Sequence, residues 1–78
     1  MSNLDKYKKA FADTFEAEEE QLANLEYQSI PKWDSVGHMA LIAALEEAFD
    51  IMMDTDDIID FSSFEKGKEI LKKYDVAI

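Results

Sequence analysis

Seventy-eight residues with nearly half of them hydrophobic are enough for one small core, and too few for a deep catalytic cleft as well. There is no cysteine, which excludes disulfides and zinc-thiolate sites and gives no sign of secretion. The net charge of −10 disfavours nucleic acid and anionic membranes and favours protein surfaces rich in Lys and Arg.

The acid is unevenly placed. Residues 16–34 hold six acids against one Lys, and residues 35–60 hold seven acids and no Lys or Arg. Residues 1–15 and 61–78 are nearly balanced. No apolar run approaches a membrane span, and Met1-Ser2-Asn3-Leu4-Asp5-Lys6 lacks the apolar stretch of a signal peptide. These features lead us to expect a cytoplasmic monomer with a single domain over residues 1–78, and no nucleic-acid or membrane partner.

A first helix is expected to open at Ser2, which with Asp5 fits a capping box. Leu4, Tyr7, Phe11, Thr14 and Phe15 recur at steps of three and four and form one apolar stripe. The run Glu16 to Gln21 carries four acids in six residues, so the helix is expected to end near Ala17. Residues 18–34 read as a long connection anchored by Leu22, Leu25, Tyr27 and Ile30. Pro31 disfavours helical geometry at Ile30.

The second helix is expected from Ser35 to about Phe49, with Ser35 as its N-cap and Asp34 adding favourable charge. Val36, Met39, Ile42, Ala43 and Phe49 form an apolar face, which Leu41, Leu45 and Ala48 widen. Glu46, Glu47 and Asp50 crowd the far end, where the helix dipole opposes them. Such a locally unfavourable cluster points to use elsewhere. A short helix is expected over about Asp56–Phe61. A last helix follows the capping box Ser62-x-x-Glu65, with Phe64, Gly67, Ile70, Leu71 and Tyr74 at helical spacing. No segment alternates as a strand does. The expected fold is all-α: a small four-helix bundle, three main helices and a short one, with a long first loop.

Three chemistries can be weighed on these residues. Asp34, Ser35 and His38 suggest a nucleophilic trio, but no Gly-x-Ser-x-Gly elbow or second glycine-rich stretch supplies an oxyanion hole. His38 reads as a half-exposed surface residue. Asp54, Asp56, Asp60, Ser62 and Glu65 match five positions of a calcium loop. The loop fails at Ile58 and Ile59, where an oxygen ligand and a turn glycine are needed. The third chemistry is attachment. A phosphate esterified to a serine at a helix N-terminus meets unpaired backbone N–H groups and the positive end of the dipole.

Asp34-Ser35-Val36, opening an apolar helix with Leu45-Glu46-Glu47 ten residues on, resembles the Asp-Ser-Leu attachment motif of acyl carrier proteins and peptidyl carrier domains. The likeness runs from the first helix to Tyr74 and is strongest over Trp33–Asp50. It implies an acyl-carrier-like bundle and a carrier, not an enzyme. Ser35 would bear 4′-phosphopantetheine, whose thiol carries acyl groups as thioesters in fatty acid, lipid or specialised-metabolite biosynthesis. The cofactor would bring the sulfur that the chain lacks. The implied partners are a phosphopantetheinyl transferase of the holo-synthase type and acyl ligases, synthases or transferases with basic docking patches. Asp34, Val36, Met39, Glu46, Glu47, Asp56 and Asp57 would face those partners. Met39, Ile42, Phe49, Ile58 and Phe61 would shelter an acyl chain. Gly37 and Ala40 stand where carriers of fatty-acid synthesis commonly have acids, and the segment is more similar to discrete carriers of specialised pathways. Two alternatives stay open: an aminoacyl or peptidyl carrier, and a cofactor-free acidic helical adaptor.

Overall fold

A computed structural model describes residues 2–78; Met1, the first residue of the stretch that lacks a signal peptide's apolar run, lies outside them. Five helices follow one another: α1 Asn3–Phe15, α2 Glu19–Leu22, α3 Ser35–Phe49, α4 Thr55–Asp60 and α5 Phe64–Lys72. The described residues form no strand, only an isolated antiparallel bridge between Glu26 and Ser63. None of their helices is long and apolar enough to cross a membrane. The radius of gyration is 11.2 Å, close to the ~11.5 Å expected of a compact chain of this length.

Helix α1 starts as its sequence directs: the Ser2 side chain accepts a hydrogen bond from the Asp5 N–H at 3.1 Å. It stops at Phe15, two residues before the expected end, because Glu16 turns into the left-handed region with φ 53°. Glu16 is held there by an ion pair with Lys32, across the connection. That connection contains α2, which the like charges of Glu18–Glu20 had argued against. Two contacts offset the repulsion: the Glu18 N–H donates to Gln21 Oε1 at 3.1 Å, and Lys8 on α1 pairs with Glu19 at 3.1 Å.

The core is aromatic. Phe11 is fully buried and has Tyr7, Phe64, Phe15 and Trp33 around it at centroid separations of 5.0–5.9 Å. Such ring pairs each add about 0.5–1.5 kcal/mol beyond area burial. Tyr7 spends its hydroxyl inside this core, donating to the Phe64 carbonyl at 2.6 Å. Burial pushes its phenol pKa strongly upward. Gly67 on α5 leaves room for this arrangement: a Cβ there would lie 2.2 Å from both the Tyr7 hydroxyl and the Phe61 ring.

Helix α3 buries only part of the expected face. Leu41, Ile42 and Leu45 are in the core, with Ala44 and Phe49 packed against it. Val36, Met39, Ala43 and Ala48 face out, Val36 at 78% and Met39 at 54% exposure. The helix is apolar nearly all round, so periodicity alone admits both registers. The last helix also shifts by one residue. Its cap is Ser63, which accepts from the Lys66 N–H at 3.0 Å. Ser62 instead offers its carbonyl to the Tyr27 N–H at 2.8 Å.

Candidate functional site

The site is the N-terminus of α3 and the cleft beside it. Asp34, not Ser35, is the N-cap: its backbone is extended and its Oδ1 accepts from the Gly37 N–H at 2.8 Å. Ser35 is therefore the first helical residue. It is exposed, and its hydroxyl makes no hydrogen bond among the described residues. The division of labour matters chemically. A capping hydroxyl is already engaged by backbone N–H groups, whereas this one has no such bond among the described residues.

Gly37 makes the close approach that fixes this turn. A Cβ at position 37 would sit 1.9 Å from the carbonyl oxygen of Lys32. The chain before the helix folds so tightly over its first turn that only glycine fits.

Trp33 and His38 lock the same corner. Trp33 is fully buried, and its indole N–H donates to His38 Nδ1 at 2.9 Å. An indole nitrogen can only donate, so Nδ1 must accept and the ring proton lies on Nε2. Nε2 then donates to the Ile58 carbonyl at 2.8 Å. His38 is half-buried, near the half-exposed placement expected, and it ties α3 to α4. With both nitrogens engaged it has none to spare as a base for Ser35, which removes the support for the nucleophilic trio.

Beside Ser35 lies a cavity of about 360 Å³, at the small end of ligand-sized pockets, which run from about 300 Å³. Ser35, His38 and Met39 of α3 form one wall. Ile58 and Ile59 of α4, with Phe61 and Ser62 after it, form the other, and Tyr27 closes the third side. Tyr27 is positioned by its own backbone bond to Ser62 and by the neighbouring bond from the Phe64 N–H to the Leu25 carbonyl at 2.9 Å. Its ring meets His38 edge-on at 5.3 Å.

The structure brings together some of the residues singled out from sequence and separates others. Met39, Ile58 and Phe61 line the cavity with Ser35. Ile42 and Phe49 do not line it; Ile42 is 1% exposed and belongs to the core. Among the acids, Glu47 and Asp56 are exposed. Glu46 is half-buried and bent inward, where its Oε2 accepts from the Met53 N–H at 2.9 Å, bracing the turn after α3. Asp57 is buried and bonded to Lys73 at 2.8 Å and to the Tyr74 hydroxyl. The Lys73 ammonium, then the Tyr74 hydroxyl, hold its carboxyl below the ordinary carboxylate range, and Asp57 in turn raises both partners. These two acids are structural. Tyr27 and Ser62 are site residues that the sequence reading left out; their proximity to Ser35 arises from the Glu26–Ser63 bridge, which no local pattern announces.

Comparison with family models, with curated proteins and with solved structures finds no match to this chain.

Proposed function

We propose that this protein is an acyl carrier: a small acyl-carrier-like bundle in which Ser35 holds 4′-phosphopantetheine as a phosphodiester and presents thioesters to partner enzymes. The observation that carries the reading is the free Ser35 hydroxyl at the start of α3, with Asp34 doing the capping in its place. A phosphate on Ser35 would lie by the N–H groups of the first turn and the positive end of a helix of 15 residues. The resemblance of Trp33–Asp50 to carrier segments supports the same reading.

Recognition would fall on the exposed half of α3. Val36 offers an apolar contact one residue from the arm, and Glu47 offers charge at the far end. Exposed ion pairs each contribute little, so docking on a basic partner would be transient and weakened by salt, as suits a shuttle. The test is intact mass after incubation with a phosphopantetheinyl transferase and coenzyme A. Wild type is expected to gain one arm and Ser35→Ala none; a wild-type chain that gains nothing would contradict the proposal.

One observation favours a second reading, a cofactor-free adaptor: Val36 and Met52 stand exposed with no partner in the fold, at 78% and 87%. It predicts that binding to such a partner survives Ser35→Ala unchanged, with no arm ever attached.

A further inference from the structure

We propose that the cleft beside Ser35 is the resting site of the arm itself, and that the cargo is left outside the bundle. This rests on the carrier reading above. Ser35 lines the cavity, so a group attached to its hydroxyl begins beside it. A tethered group meets an adjoining site at an effective concentration on the order of millimolar, which a weak site can use.

The walls suit the chemistry of pantetheine, which alternates a branched dimethyl segment with two amides. Met39 of α3 and Ile59 of α4 stand at 54% and 72% exposure, apolar surface that none of the described residues covers. Tyr27 and Ser62 bring hydroxyl-bearing side chains to the same cleft, and a hydroxyl can donate to an amide carbonyl or accept from an amide N–H.

The floor is closed. Phe61 is 1% exposed, and the Trp33–His38–Ile58 hydrogen bonds join the two walls behind the cleft. Ile42 and Phe49, which would have to line a deeper sleeve for a long acyl chain, are not part of the cavity. An arm lying in this cleft takes up the space beside Ser35, and its thioester end projects past it.

The experiment follows methyl resonances of the full chain as it is converted from the unmodified form to the arm-bearing form, then to forms carrying acetyl, hexanoyl and dodecanoyl groups. Mass confirms each state. The methyl signals of Met39, Ile58 and Ile59 are expected to shift on attachment of the arm and then to stay put along the acyl series. Met52, exposed and outside the cleft, should not move. Ile59→Ser and Tyr27→Ala, both exposed positions, should return the arm's own signals toward those of free pantetheine. The thioester should react with hydroxylamine at the same rate for all three cargoes. Unshifted cleft methyls in a chain whose mass shows the arm would overturn the proposal. So would shifts, or protection from hydroxylamine, that grow with cargo length, since they would give the cleft to the acyl chain. A chain that accepts no arm removes the carrier reading, and this site with it.

Discussion

Asp34 and Ser35 are adjacent polar residues at one helix start, and their roles separate cleanly by substitution. Asp34→Ala removes the acceptor that the Gly37 N–H uses, and losing such a cap costs about 1 kcal/mol. Ser35→Ala removes a hydroxyl that bonds to nothing described, so its stability should stay within about 0.5 kcal/mol of wild type. Denaturant unfolding of the two variants checks this; equal losses would return the cap to Ser35. Gly37→Ala sets two effects against each other. Alanine favours a helix interior by about 1 kcal/mol over glycine. Its Cβ, however, would fall 1.9 Å from a backbone oxygen, which cannot rotate away. The clash should win, with a net loss of about 1–3 kcal/mol, and a variant as stable as wild type would show that the turn before α3 can open.

At the scale of elements, what could be read from sequence depended on whether the deciding contact was local. Helix α1 was legible because Tyr7, Phe11 and Phe15 stand on a single stripe and Ser2 caps it. The existence of α3, α4 and α5 was legible for similar reasons. The buried face of α3 was legible only in part, because a helix that is apolar nearly all round has little polar side to orient it, and the choice fell to packing against the aromatic core. Helix α2 was missed because Lys8, eleven residues away, supplies its missing charge. The α5 cap was displaced by one residue because two serines adjoin and Ser62 is drawn to Tyr27. In the site, the place of Ser35 at the head of α3 was legible, whereas Tyr27 and the Trp33–His38–Ile58 chain were not, since each depends on residues distant in sequence. That chain predicts a graded response. Trp33→Ala empties the centre of the core and should cost about 3–5 kcal/mol. Trp33→Phe keeps most of the ring and loses the hydrogen bond to His38, so it should cost far less yet loosen α4, seen as faster amide exchange over Thr55–Asp60. Unchanged exchange there would mean that the bond does not hold α4.

The whole molecule is acidic, and its stability should respond to pH through one buried acid. Asp57 joins α4 to the end of α5 through Lys73 and Tyr74. Its carboxyl lies below the ordinary value of 3.8 when folded, so its contribution is complete above that value and is lost as the pH falls through the lower, folded one. Asp57→Asn should therefore be destabilised at neutral pH, and the gap to wild type should close on acidification below 3.8. A gap that is constant with pH would show that packing, not charge, makes the contact.

The free hydroxyl at the head of α3 is tested most directly by the mass of the intact chain after exposure to coenzyme A and a phosphopantetheinyl transferase. A single phosphopantetheine is expected on wild type, located at Ser35 by fragmentation and absent from Ser35→Ala. An unchanged wild-type mass, or an adduct that survives Ser35→Ala, contradicts the carrier reading.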